Sequence, residues 1–129
     1  MASSVDNGEL RLRLRIGREQ VRYLDDLASG AFLLQCFGEA VSALSIGREG
    51  HGGALVAVDR MSFRHALHAG DLIEIAARFV SKGVTSRRYE CEGWLLQSHF
   101  DKGARTVDWS VYDPPTLVGG GLLTIVVRP

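Results

Sequence analysis

The stretch Leu27–Ser45, LASGAFLLQCFGEAVSALS, decides the fold. Leu27, Ala31, Leu34, Val41 and Leu44 recur near helical spacing, with Leu33, Phe37 and Ala40 beside them. Its one charged residue is Glu39. A helix so apolar on every side predicts a core helix, not a surface one. Ala28, Ser29, Gly30, Ala31, Gly38 and Ala40 are small enough to let a sheet lie close against it. Tyr23-Leu24-Asp25-Asp26 stands just before it, and either aspartate is placed to cap the first turn by accepting a free backbone N–H.

On the N-terminal side of this helix, Leu10–Ile16 alternates without a fault. Leu10, Leu12, Leu14 and Ile16 face one way and Arg11, Arg13 and Arg15 the other, which predicts a half-buried strand with a wet, basic outer face. Residues 1–9 read as a loose extension. On the C-terminal side, Gly47–Gly53 (GREGHGG) is a loop by composition. Candidate strands follow at Leu55–Phe63, Leu72–Val80, Arg87–Gln97 and Leu117–Val127. Ile73, Ile75, Ala77 and Phe79 share a face opposite Glu74 and Arg78, and Arg88, Glu90 and Glu92 alternate with Tyr89, Cys91 and Gly93. Lys82-Gly83 and Lys102-Gly103 mark turns. Pro114-Pro115 cannot donate to a central ladder and interrupts the last hairpin. A strand, a buried helix and four strands able to run as an antiparallel meander give an α+β class, a bent antiparallel sheet wrapped round one long central helix. Residues 1–129 form a single domain of ordinary size.

Composition narrows the function. An apolar fraction of 46% with 23% charged residues is globular, and no apolar run approaches the roughly 20 residues that cross a bilayer. Met1–Glu9 lacks the basic-then-apolar order of a secretory signal, so a cytoplasmic protein is expected. A net charge of zero argues against nucleic acid as the partner, since binding phosphates draws on a basic surplus. Cys36 and Cys91 lack metal-ligand spacing and read as small buried hydrophobes, not a disulfide. The four histidines, His51, His65, His68 and His99, form no metal motif such as HExxH.

The segment Phe63-Arg64-His65-Ala66-Leu67-His68-Ala69-Gly70-Asp71 resembles a recurrent phrase of the hotdog superfamily: an aromatic residue, a short loop, then Gly-Asp opening a long strand. Tyr23–Gly38 (YLDDLASGAFLLQCFG) is similar to the strand-to-helix junction of the coenzyme A-linked β-aminoacyl ammonia lyases, which act on β-alanyl-CoA or 3-aminobutyryl-CoA. Glu92-Gly93-Trp94 lines up in order, and Asp113-Pro114-Pro115 followed by Gly119 resembles their Glu-Pro-Pro run. The likeness runs from about Leu10 onward. It implies a hotdog fold and an acyl-CoA substrate, with coenzyme A entering as part of that substrate and no separate cofactor or metal. It also implies a homodimer or larger homo-oligomer whose pocket lies at the subunit boundary. Two positions depart from the pattern. Asp25-Asp26 stands where the lyases have Gly-Asn, and Asp113 is one methylene shorter than their glutamate.

Acyl-CoA chemistry makes three demands. The thioester oxygen gathers negative charge in the reaction and needs preorganised donors. The start of a buried helix supplies free N–H groups and a partial positive charge, which singles out Ser29, Gly30 and Ala31. A carboxylate is needed to move protons or hold an ammonium group, and the candidates are Asp113, Glu39, Asp25 and Asp26. Pro114-Pro115 would stiffen the backbone at Asp113. Glu39 is expensive inside an apolar helix unless it faces a pocket, pairs with Arg60 or Arg64, or lies at an exposed edge. The nucleotide phosphates call for cations, for which Arg60, Arg64, Arg87 and Arg88 are candidates, with His65 at the pocket edge. The reading is a carbon–nitrogen lyase, with an acyl-CoA thioesterase using Asp25 or Asp26 to orient water, and a non-catalytic acyl-CoA binding subunit, as alternatives.

Overall fold

The computed structural model describes residues 3–5, 8–21, 27–101 and 104–127. Its elements are β1 (Ser3–Val5), β2 (Glu9–Arg15), a short 3-10 turn at Arg18–Gln20, α1 (Gly30–Glu49), β3 (Ala54–Phe63), β4 (Leu72–Lys82), β5 (Ser86–Asp101) and β6 (Ala104–Val126). The strands form one antiparallel sheet in the order β1-β2-β4-β5-β6-β3, against which α1 packs. Within the stretch 1–9, Ser3–Val5 pairs with β2 as a short edge strand.

The alternation in β2 and β4 behaves as the pattern predicts. Leu10, Ile16, Ile73, Ile75 and Ala77 are buried in the core, while Arg11, Arg13 and Arg15 are exposed on the outer face. There Arg11 and Arg13 both donate to the Glu74 carboxylate, at 2.9 and 2.8 Å. β4, β5 and β6 run as a meander, but β3 does not join it beside β4. Both edges of β4 are taken, by β2 and β5, so β3 lies at the far edge on β6, with Val58 opposite Leu123 and Phe63 opposite Gly119. The last strand is also longer than Leu117–Val127. The ladder steps from Gln97↔Val111 to Leu95↔Thr116, so Pro114-Pro115 lies in a bulge where no ladder N–H is required.

The helix differs from expectation at both ends and on one side. It starts at Gly30, and its cap is Ser29, whose Oγ accepts from the Phe32 N–H at 3.3 Å. That removes the capping role proposed for an aspartate; Asp25 and Asp26 lie outside the described residues. It ends at Gly50, whose φ of 78° suits glycine and whose N–H donates to the Ile46 carbonyl. Leu33, Phe37, Ala40, Val41 and Leu44 are buried against the sheet. Ala31, Gln35, Glu39 and Ala43, spaced four apart, are exposed. One sheet covers one side of a helix, so this stripe, holding both Gln35 and Glu39, turns outward. At 20 residues and mean hydropathy 1.3, α1 is long and apolar enough to cross a membrane, contrary to the sequence expectation, yet it packs as a core helix.

Candidate active site

The start of α1 opens on a cavity of ≈ 550 Å³. Leu27 to Gly30 and Leu33 form one wall, the Phe63–Leu67 segment another, and Val118 of β6 completes it. Leu33, Leu67 and Val118 make the apolar part. Ser29, Gly30, Arg64 and His65 carry the polar groups. Gly30 holds the first helical position, where the helix itself supplies no acceptor for the N–H. It also brings backbone and cavity close, because a Cβ there would stand 2.9 Å from Cε1 of Phe63. The His65 ring meets the Ala66 carbonyl through Nδ1 at 2.8 Å. A proton on Nδ1 for that bond leaves the acceptor lone pair on Nε2.

The loop that carries His65 is pinned from below. Leu27 bridges to His68, and the Ala28 N–H donates to the Leu67 carbonyl at 2.8 Å, tying the loop to the helix start. Asp71 anchors the loop's other end. Its wholly buried carboxylate accepts from Ser98 Oγ at 2.5 Å and from the His68 N–H at 2.9 Å. Burial pushes its pKa up, and these two donors offset only part of that. Gly70 before it has φ 94°, and its carbonyl accepts from Arg15 at 2.7 Å. The sequence alone assigns Asp71 no role beyond opening the strand. The signal was an acid heading an apolar strand, but its partner Ser98 is 27 residues away and only pairing brings the two together.

Of the oxyanion candidates, Ser29 and Gly30 line the cavity, and Ala31 is exposed outside its lining. Of the arginines, Arg64 lines it, and also lines a second cavity of ≈ 260 Å³ together with Arg60, Ser62, Glu90 and Glu92. Arg60 has φ 55° where β3 steps out of register between Asp59 and Ser62. Arg88 is exposed and stands 3.8 Å from Asp59.

Arg87 is a correction. It is buried and grips Glu49 at the end of α1 through Nε and Nη2 at 2.8–2.9 Å, and its Nη1 donates to the Gly83 and Ser86 carbonyls. That fork leaves it no part in meeting a phosphate, and it holds Glu49 below the usual carboxylate range. Neighbouring residues of a strand face opposite ways, so Arg87 had to share the inner face with Tyr89 and Cys91.

Among the carboxylates, Glu39 is exposed on α1 and lines a separate cavity of ≈ 320 Å³ with Arg15, Gln20, Gln35 and Cys36. Of the three readings of Glu39, the pairing with Arg60 or Arg64 is not seen among the described residues, and the side chain stands at an exposed edge bordering this cavity. Asp113 is exposed on β6 and lines none of these three cavities. No carboxylate lines the cavity at the helix start among the described residues. Cys36 and Cys91 are free, their thiols pushed up by burial to about 11 and about 12, so neither is a ready nucleophile. Among the described residues no group of three His, Cys, Asp or Glu side chains is arranged to hold a metal ion.

Comparison with known proteins agrees with this architecture. A family model described as the thioesterase superfamily matches residues 21–99. A 3-aminobutyryl-CoA ammonia lyase from Acetoanaerobium sticklandii is 34% identical over 77 residues, 60% of this chain. The matched stretch spans 61% of that relative's length. The solved structure of β-alanyl-CoA:ammonia lyase from Clostridium propionicum superposes with a TM-score of 0.85 at 18% identity, covering 94% of this chain and 86% of that one. A hexameric thioesterase from Yersinia pestis superposes with a TM-score of 0.71 at 19% identity, covering 98% and 92%. The fold is the hotdog fold that the resemblance implied.

Proposed function

The chain belongs to the thioesterase superfamily, and from that membership we propose that it is an enzyme of acyl-CoA thioesters that eliminates ammonia from a β-aminoacyl-CoA or adds it to an enoyl-CoA. The observation that carries the reading is the cavity at the start of α1, where the first turn of a helix meets an apolar floor. A thioester oxygen placed there receives the Gly30 N–H and the positive end of the helix, and both grow in value as the α-proton leaves and charge moves onto the oxygen. In the elimination a base takes the α-proton, the Cα–Cβ double bond forms, and the C–N bond breaks with its electron pair leaving on nitrogen. The 34% identity to an ammonia lyase favours this reaction.

The base and the ammonium holder come from Asp113, Glu39, Asp25 and Asp26. A second copy of the chain covers the open mouth of the cavity and brings one of these carboxylates to it. Among the described residues the outer edge of β3 has no partner strand, and Leu55, Val56 and Phe63 along it are exposed. Such an edge is a template for pairing with another chain, and the hexameric relative favours assembly. Arg60 and Arg64, lining the second cavity, meet the coenzyme A phosphates. The setting is cytoplasmic. Thioester hydrolysis is the second reading, favoured by the family itself, since the same helix start would serve a tetrahedral oxyanion.

The test is incubation with β-alanyl-CoA, with crotonyl-CoA plus ammonium, and with simple acyl-CoAs. Ammonia release with the thioester intact supports the lyase, free coenzyme A moves the assignment to the esterase, and saturable binding without turnover leaves a binding subunit. Asp113→Asn should lose most lyase turnover while melting like the wild type; unchanged turnover removes Asp113 from the mechanism.

A further inference from the structure

We infer that Leu33 is the specificity-determining residue of this cavity, a stopper that restricts the acyl group to short chains. The inference rests on the acyl-CoA reading above. Leu33 lines the cavity yet is only 2% exposed, so its side chain reaches from the opening into the sheet. What it reaches is a pair of glycines facing each other across two strands. Gly93 of β5 pairs directly with Gly119 of β6, and Gly119 with Phe63 of β3. A Cβ on Gly93 would stand 3.1 Å from Leu33 Cδ1, and one on Gly119 would stand 2.9 Å from Leu33 Cδ2. The isobutyl group therefore fills a trough left by two adjacent glycines. Gly119 has a reason of its own, because a Cβ would lie 2.3 Å from the Ser62 carbonyl oxygen. At Gly93 a Cβ would meet Val118 Cγ2 at 3.1 Å and Ile75 Cδ1 at 3.5 Å as well as Leu33, so only side-chain ends, and no backbone, bound the space. Val118 and Ile75 border that space from the sheet, and Leu33 closes it from the helix side.

An acyl chain entering from the helix start with its carbonyl at Gly30 meets Leu33 on the way to that trough. Shortening Leu33 should open the trough to longer chains, each added methylene tightening binding about fourfold. The measurement is calorimetric titration of acetyl-, butyryl-, hexanoyl- and octanoyl-CoA into the full chain, with thermal melting alongside. The wild type should bind butyryl-CoA better than hexanoyl-CoA. Leu33→Ala should reverse that order and gain roughly tenfold for hexanoyl-CoA over the wild type. Leu33→Val, one carbon smaller and milder for the core, should gain about fourfold. If Leu33→Ala does not fold, Leu33→Val decides. Folded variants with the wild-type chain-length profile overturn the inference while leaving the acyl-CoA reading standing. A wild-type chain that binds no acyl-CoA sinks that reading, and the inference with it.

Discussion

Replacing Asp71 tests whether the loop beside the cavity is held as the geometry says. Its carboxylate is wholly buried and accepts from Ser98 Oγ at 2.5 Å and the His68 N–H at 2.9 Å. Hydrogen bonds to a charged group contribute about 1.5–3 kcal/mol each, and buried donors left unmet forfeit a similar amount. Asp71→Ala should therefore lose about 3–5 kcal/mol, once the relief of removing a buried charge is set against two lost bonds. Asp71→Asn should lose only about 1 kcal/mol, because its amide can accept from His68 and donate to the Ser98 hydroxyl. Urea unfolding followed by tryptophan fluorescence at fixed protein concentration measures both. The pH dependence supplies a second sign. Burial raises the folded pKa above 3.8, so folding takes up a proton in that window and the wild type gains stability relative to Asp71→Asn as pH falls through it. An Asp71→Ala midpoint within about 1 kcal/mol of wild type would refute the clamp.

The Glu49–Arg87 pair has the opposite sign. Glu49 lies below its ordinary 4.5, so its stabilisation is present above that pH and lost as pH falls through the folded value. The gap in melting temperature between wild type and Glu49→Gln should thus close on acidification; a constant gap denies the pair its role. Tyr89 is buried with its hydroxyl unpartnered among the described residues, so Tyr89→Phe should raise stability by up to about 1 kcal/mol in the same urea assay, and a loss would reveal a hidden partner. Gly119→Ala places a methyl 2.3 Å from the Ser62 carbonyl and should destabilise by more than about 2 kcal/mol, with β3 amides exchanging hydrogen faster than those of β4. Equal protection of the two strands would contradict that pairing.

What was legible in the chain was whatever repeats locally. Leucine and arginine alternating through Leu10–Ile16 determine a strand and its buried face, because successive side chains of a strand point to opposite sides. Helical spacing in Leu27–Ser45 determines a core helix and, with the strand count, the α+β class. Of the spaced residues, only Val41 and Leu44 are buried in α1, beside Leu33, Phe37 and Ala40, while Ala31 is exposed and Leu27 precedes the helix. The site was half legible. Ser29 and Gly30 line the cavity although the sequence pattern starts the helix at Leu27, and Arg64 and His65 line it from the loop that the hotdog resemblance singles out.

Only the tertiary structure decided which groups meet. Glu39 looked costly inside an apolar helix, but one sheet covers one side and the glutamate lies on the other. Arg87 and Arg88 looked alike, but alternation sends one to Glu49 and leaves the other at the surface. β3 was expected in the meander and instead crosses to β6, because β4 has only two edges and β2 and β5 hold them. Asp71 finds Ser98, and Leu33 finds Gly93 and Gly119, across strand pairings between residues distant in the chain. Periodicity tells each residue which way to face; only packing of the whole chain determines what stands opposite.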